Sequence, residues 1–243
     1  MLFVGFQSKV DALRAAQEEG LRVVLLLGSD SSGFEDYVDK VFRVQFDDVP
    51  GLKAALNQIK KEENVEAVFT NYEIYTVYKA FVAQYLGLEG AKLADACSAR
   101  NKLMMRKQWE NLEQNIDFRR VMNIEEARKA FLDFGEDVYL KFISGVKSSL
   151  IYHVRSLQEM EESFLDLRKR AAAINPAFLD FYDGMDFDFH YPDPRREFLV
   201  EKAEYGKQVT VASVVGAEGE IFHAPGLCDV VTAKEIAAIM ELA

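Results

Sequence analysis

The chain has 243 residues, of which 49% are hydrophobic and 28% are charged, a composition typical of a folded globular protein and not of a disordered one. Its formal net charge at pH 7 is -11, from 40 acidic and 29 basic residues. Such a surface repels phosphate backbones, so we expect no nucleic-acid partner. No apolar run approaches the roughly 20 residues that a membrane-spanning helix needs, so we expect no membrane partner either.

The two cysteines, Cys97 and Cys228, are far apart in the sequence. The first six residues contain no basic leader and are too short for an export signal, and they resemble a first strand instead. This combination predicts a cytoplasmic protein in which both thiols are small buried residues.

The first hundred residues alternate between strand-like and helix-like segments. Strands are predicted at residues 2–6, 22–27, 41–46 and 65–70, and helices at 9–19, 51–62 and 75–86. Gly20 and Gly87 follow the first and last of these helices, as glycines at helix ends often do. The alternation predicts a mainly parallel sheet with helices on both faces.

The pattern changes from about residue 96, and we expect a domain boundary near residues 93–98. Asn123 is a predicted N-cap with Glu126 three positions on, and Ser156 is a second predicted cap. Residues 138–215 are expected to form an antiparallel sheet, and most of 175–196 a long loop. The remaining predicted elements are helices at 99–112, 124–134, 156–173 and 232–242, and strands at 117–122, 138–143, 150–154, 198–201, 209–215 and 220–223.

An ordered series of short phrases resembles the ATP-grasp ligases. It consists of Phe69-Thr70-Asn71-Tyr72-Glu73, Tyr85-Leu86-Gly87-Leu88, residues 99–106 (ARNKLMMR), Val138-Tyr139-Leu140-Lys141, residues 144–149 (SGVKSS) and Leu199-Val200-Glu201-Lys202. The resemblance implies an α/β protein. A Rossmann-like pre-ATP-grasp domain would cover residues 1–95, and part of an α+β ATP-grasp nucleotide-binding domain would cover 96–243.

The resemblance assigns two lysines to the phosphates of ATP. It places Lys102 on the α-phosphate side and Lys141 on the α- and β-phosphates, because a lysine supplies a compact positive charge on a long stem. The loop at residues 144–149, with Ser148 and Ser149, would cover the triphosphate through backbone N–H groups and hydroxyls. The alternatives are that both lysines are exposed surface residues and that the loop is an ordinary hairpin connection.

The same comparison assigns the adenosine side of the nucleotide. Glu201 would accept the exocyclic amine of adenine, and the backbone around Lys202 and Ala203 would line the base. Gln208 stands where the family has an acidic residue for the ribose hydroxyls, and a neutral amide there predicts a weaker ribose contact. The alternative for Glu201 is a surface carboxylate at a strand end.

The ligands of the metal ion are expected to lie outside this sequence. The resemblance implies ATP and Mg²⁺ as cofactors, with the magnesium ligands and a catalytic arginine beyond residue 243, so no catalytic residue is assigned. We therefore interpret the sequence as the front portion of such a ligase. It is either a truncated chain or a naturally short one. Asp183, Asp186, Asp188 and His190 are oxygen and imidazole donors, but they follow no recognised ligand frame.

The resemblance implies an ATP-dependent carboxylate–amine or carboxylate–thiol ligase that acts through an acyl phosphate, with ATP and a small carboxylate as partners. It leaves open a homodimer. A noncatalytic ATP-grasp-like nucleotide-binding or regulatory protein is the alternative. A dinucleotide- or sugar-nucleotide-binding Rossmann protein would explain only the first hundred residues, and no Gly-x-Gly-x-x-Gly or Walker-type loop is present.

Overall fold

The computed structural model describes residues 1–5, 10–28, 33–113, 115–145, 150–173, 184, 189–206, 213–215 and 220–223. The chain falls into two compact units. The first runs from Met1 to Lys202, and the second begins at Ala203. None of the helices in the described ranges is both long and apolar enough to cross a membrane.

A four-stranded parallel sheet forms the first half of the larger unit, as the alternating pattern predicts. Its strand order is β3-β2-β1-β4, and every neighbouring pair is parallel. The strands are β1 (Leu2–Val4), β2 (Val24–Gly28), β3 (Lys40–Val44) and β4 (Val68–Phe69), and the helices are α1 (Asp11–Glu18), α2 (Val49–Glu62) and α3 (Thr76–Leu86).

Helices cover both faces of this sheet because successive side chains of a strand point to opposite sides. Leu2 and Val4 of β1 pack in a core with residues of α2 and α3, and this core also contains the buried thiol of Cys97. Phe3, between them in sequence, packs on the other face against Leu13 of α1. The predicted two-sided parallel sheet is confirmed, and Cys97 is buried as predicted; Cys228 lies outside the described residues.

Two short helices replace the single helix that the sequence predicts at residues 99–112. They are α4 (Leu93–Arg100) and α5 (Lys102–Gln108), separated by Asn101. Asn101 has extended backbone angles, and its side-chain oxygen accepts hydrogen bonds from the N–H groups of Leu103 at 3.1 Å and Met104 at 3.3 Å. The single-helix prediction is wrong because this asparagine ends one helix and caps the next.

An antiparallel sheet follows, with its elements in chain order β5 (Phe118–Val121), α6 (Ile124–Asp133), β6 (Val138–Phe142), β7 (Ile151–Val154), α7 (Leu157–Ala172) and β8 (Phe198–Lys202). The strand order in the sheet is β5-β8-β6-β7. Helices α6 and α7 pack on one face of it, over a core that includes Leu140 and Phe164. Asn123 and Ser156 cap these helices as predicted, accepting the N–H groups of Glu126 at 2.9 Å and Glu159 at 3.1 Å.

The second unit contains a hairpin of β9 (Ser213–Val215) and β10 (Ile221–His223). These strands form a two-stranded sheet of their own, so the expectation of one sheet over residues 138–215 is wrong for β9. A short connection lets neighbouring antiparallel strands pair with each other. Most of the loop predicted at 175–196 and the helix predicted at 232–242 lie outside the described residues.

Candidate nucleotide-binding site

Lys141 lies on the face of the second sheet that α6 and α7 leave uncovered. Its neighbour Leu140 is fully buried in the core, so the alternation of β6 points Lys141 to the other side. On the adjacent strand β8, Glu201 is paired in register with Tyr139 and therefore lies on the same face as Lys141. The Lys141 ammonium donates a hydrogen bond to Oε2 of Glu201.

Glu201 is a buried carboxylate shared by two cations. It is only 1% exposed, and its second oxygen, Oε1, accepts a hydrogen bond from Nε of Arg106 at 2.6 Å. Burial alone would raise the pKa of Glu201. The hydrogen bond from Arg106 and the charge of Lys141 outweigh burial and hold this pKa below its usual value. Glu201 is therefore a fixed negative charge that orients both side chains.

Helix α5 brings two basic residues to this carboxylate. Lys102 and Arg106 are four residues apart and lie on the same side of the helix. The helix is held to the sheet by Leu103, which is fully buried against Ile143 and Leu199, and by the N–H of Lys102, which donates to the carbonyl of Ile143 at 2.8 Å. The position of the basic pair is thus determined by packing and a main-chain hydrogen bond.

Lys102 reaches the start of the predicted phosphate loop. Its ammonium donates to the carbonyl oxygen of Gly145 at 2.7 Å. Burial lowers the pKa of Lys102, and the nearby positive charges of Arg100 and Lys141 lower it further. The hydroxyl of Ser144, the residue before Gly145, lies 3.3 Å from the hydroxyl of Tyr191, within hydrogen-bond distance. A ligand with several negative charges would relieve the crowding of cations around Lys102.

The site is locally basic although the whole chain is acidic. Lys102, Arg106 and Lys141 are three cations: Arg106 and Lys141 donate to Glu201, and the charge of Glu201 also acts on Lys102, as do those of Arg100 and Glu73. Together with Arg100, four positive charges stand against two negative charges, Glu73 and Glu201, which leaves an excess of two positive charges. A local field of this sign attracts anions at contact distance whatever the net charge of the protein.

Aromatic residues continue the face next to Lys141. The Lys141 ammonium lies 5.3 Å from the ring centroid of Tyr139, and Tyr139 stacks on His153 with ring centroids 4.5 Å apart. Asp137 holds the His153 ring through Nε2 at 2.7 Å. A flat aromatic surface beside a cationic side chain suits a nucleotide, whose charged and apolar parts are adjacent.

The structure brings Lys102, Lys141 and Glu201 together, although they are distant in sequence. Lys202 is exposed at the end of β8, where its N–H donates to the carbonyl of Asp117, and Ala203 is buried at the start of the second unit. The other predicted site residues, Ser148, Ser149 and Gln208, lie outside the described residues.

Sequence reasoning missed Arg106 as a site residue. It also missed Asn115, whose side-chain oxygen accepts from Nη1 of Arg106 at 3.0 Å and whose amide donates to the Arg106 carbonyl at 3.1 Å. The spacing of four between Lys102 and Arg106 was the available signal, because it puts both side chains on one helix face. Nothing in the local sequence points to Asn115.

Within the described ranges, no three His, Cys, Asp or Glu side chains come together in a way that could hold a metal ion. Asp183, Asp186 and Asp188 lie outside those ranges. His190 is exposed, and its Nε2 lies 3.6 Å from the buried carboxylate of Glu197. The basic residues of the cluster are complementary in charge to the anionic part of a nucleotide.

Comparisons with known proteins give a consistent class. No protein-family profile matches the sequence. Over 159 residues, 65% of this chain, it is 23% identical to alanine–anticapsin ligase of Bacillus subtilis, of which the match covers 34%. Its fold is similar to that of an L-amino acid ligase from Bacillus licheniformis, with a TM-score of 0.70 and 17% identity over 91% of this chain and 50% of that one.

A biotin carboxylase from Campylobacter jejuni gives a TM-score of 0.67 at 13% identity and covers 99% of this chain and 57% of its own. These neighbours are ATP-grasp ligases, and the chain shares their fold over part of their length. The match covers about a third of the length of alanine–anticapsin ligase, and the chain covers 50% and 57% of the lengths of the two solved structures. The α/β architecture implied by the sequence resemblance is confirmed.

Proposed function

We propose that this chain is the nucleotide-binding part of an ATP-dependent carboxylate–amine or carboxylate–thiol ligase. In such a ligase the carboxylate is converted to an acyl phosphate, from which an amine or thiol displaces phosphate. The observation that carries the proposal is the cluster of Lys102, Arg106 and Lys141 around buried Glu201, in a fold shared with ATP-grasp ligases. The three proteins named above are alanine–anticapsin ligase, an L-amino acid ligase and a biotin carboxylase.

Each residue of the cluster has a distinct proposed task. Lys141 and Lys102 bind phosphate oxygens, because charge-assisted hydrogen bonds to phosphate are stronger than neutral ones. Both oxygens of Glu201 already accept hydrogen bonds from cations, so we assign it chiefly to holding Lys141 and Arg106 in place. Each carboxylate oxygen has two lone pairs, which leaves capacity for the predicted contact with the adenine amine.

The finer parts of the proposal extend the sequence-based expectations. They place the base next to Tyr139, with Lys202, Ala203 and Gln208 on the adenosine side, and they include Ser148 and Ser149 over the phosphates. A division into domains at residues 1–95 and 96–243, a cytoplasmic location, a small carboxylate substrate and a homodimer belong to the same proposal. Mg²⁺ also belongs to it.

The test is a calorimetric titration of ATP and ADP into the unmodified chain and into Lys102→Ala and Lys141→Ala. We expect each substitution to weaken ATP binding by about 1–3 kcal/mol, the range for a charge-assisted contact. Lys53→Ala is the matched control, because Lys53 is an exposed lysine of α2. If both site variants bind ATP as tightly as the unmodified chain and Lys53→Ala do, the phosphate assignments are wrong.

A further inference from the structure

Arg100 is a buried cation that the proposed nucleotide site does not use. It is the last residue of α4, and its side chain is only 5% exposed. Its Nη1 donates to Oε1 of Glu73. Its Nε is buried and has no hydrogen-bond partner within the described part of the chain. Among the described residues, the guanidinium therefore holds one carboxylate by one nitrogen and has a second buried donor without a partner.

A buried donor without a partner is costly, and its geometry indicates what would satisfy it. The guanidinium presents Nε and its Nη groups as a planar fork that matches the two oxygens of a carboxylate or phosphate. Glu73 is a weak competitor for this fork because its side chain is 61% exposed and can return to water.

The location of the pair favours a ligand. Glu73 begins a single 3₁₀ turn, Glu73–Tyr75, that follows β4 at the carboxyl end of the parallel sheet. Open α/β sheets bind ligands at that end. Arg100 is two residues before Lys102, and its charge contributes to the lowered pKa of Lys102, so the two cations are close enough to interact. Arg100 thus lies beside the proposed phosphate cations.

We propose that Arg100 is an oxyanion-binding residue whose guanidinium exchanges Glu73 for a carboxylate or phosphate group of a bound molecule. This inference rests on the proposed function and deepens it, because a ligase that forms an acyl phosphate must hold an oxyanion next to the phosphate cations. The exposed carboxylate of Glu73 occupies the guanidinium until the oxyanion arrives. No bond is made or broken in this exchange.

The test uses the 243-residue chain and measures dissociation constants for acetate and for inorganic phosphate by NMR chemical-shift titration at constant ionic strength. Glu73→Gln removes the competing negative charge at an exposed position, and we expect it to tighten binding of at least one probe about fivefold. Glu161→Gln is the control, because Glu161 of α7 is an exposed carboxylate paired with Arg128 of α6, which is itself exposed and lies outside the proposed site. We expect this control to leave both constants unchanged.

Arg100→Lys in the Glu73→Gln background provides the second arm. It keeps the positive charge but removes the planar fork, so we expect the fivefold gain to be lost. A gain for acetate alone assigns the subsite to a substrate carboxylate, and a gain for phosphate alone assigns it to a phosphate group. If Glu73→Gln leaves both constants unchanged or weakens them, the inference is overturned.

An ATP titration of the same variants separates this inference from the proposed function. If the unmodified chain binds ATP while neither probe responds to Glu73→Gln, only the oxyanion inference fails. If the unmodified chain does not bind ATP, the proposed function fails, and a gain in acetate or phosphate binding in Glu73→Gln would still establish Arg100 as an oxyanion-binding residue.

Discussion

Glu201 shows how one buried charge can organise a site. Removing a carboxylate from water is unfavourable, and the cost is offset only when its oxygens meet well-placed cations. Oε1 is held by Arg106 at 2.6 Å and Oε2 by Lys141, so each oxygen has its own charged donor. The arrangement constrains both cations, and a constrained cation needs less ordering when it binds a phosphate.

We predict that Glu201→Gln lowers the free energy of unfolding by about 3 kcal/mol at pH 7, because Arg106 and Lys141 lose their shared counter-charge while they stay largely buried. Urea unfolding curves of the variant and the unmodified chain measure this difference. Glu161→Gln, at an exposed pair, should change the free energy by no more than about 1 kcal/mol. Equal losses in the two variants would contradict the central role of Glu201.

The lowered pKa of Glu201 predicts that the free energy of unfolding depends on pH. The pKa of Glu201 is lower in the folded chain than in the unfolded chain. Its ionised form therefore contributes stability that is fully present above the unfolded pKa of about 4.3 and is lost as the pH falls through the folded pKa. The difference between the unmodified chain and Glu201→Gln should accordingly shrink below about pH 4. A difference that stays constant from pH 7 to pH 3 would contradict this assignment.

Among the elements, α5 carries two of the three basic side chains, and Asn101 determines where it begins. The Asn101 side chain is fully buried, caps two N–H groups of α5, and donates through Nδ2 to the carbonyl of Pro192 at 3.4 Å. A cap that also ties the helix to a distant segment fixes the orientation of Lys102 and Arg106. The helix has only seven residues, so its end matters to every side chain on it.

We predict that Asn101→Ala destabilises the chain by about 1–2 kcal/mol and also weakens ATP binding at least about threefold, because α5 loses its cap and its side chains lose their fixed positions. Asn123→Ala removes the corresponding cap of α6, which carries none of the three site cations. Its unfolding free energy should fall by a similar amount without a change in ATP affinity. Thermal or urea unfolding and calorimetry measure the two quantities separately.

At the scale of the whole molecule, the unit from Met1 to Lys202 contains separate hydrophobic cores under its two sheets. Val24 of β2 is buried in a core with α2 and α3, and Val138 of β6 is buried in the core with α6 and α7. Neither valine belongs to the other's cluster. The two sheets are nevertheless grouped in one compact unit, with α4 and α5 between them in sequence.

We predict that Val24→Ala and Val138→Ala each lower the free energy of unfolding by about 2 kcal/mol, from two lost methyl groups and the cavity that remains. Their effects in the double variant should add to within about 0.5 kcal/mol, because the two side chains share no packing partner in these cores. Urea unfolding of the single and double variants tests this. A coupling well above that value would show that the two cores act as one.

The sequence by itself determined the elements whose signals are local. The alternation of strands and helices, the caps at Asn123 and Ser156, and the glycine in left-handed conformation after α3 at Gly87 each depend on a few neighbouring residues, and each is found in the structure. The ordered phrases also singled out Lys102 and Lys141, whose assignment to phosphates is what the family resemblance implies.

Only the tertiary structure decided which charges meet. Arg106 and Lys141 are 95 and 60 residues from Glu201 in sequence, and they reach it because β8 is inserted between β5 and β6 while α5 packs on the same face. Strand order and helix docking depend on the burial of side chains from the whole unit, so no local pattern encodes them. The paired role of Glu201, and the burial of the Arg100 Nε away from any partner in the described ranges, follow from that packing alone.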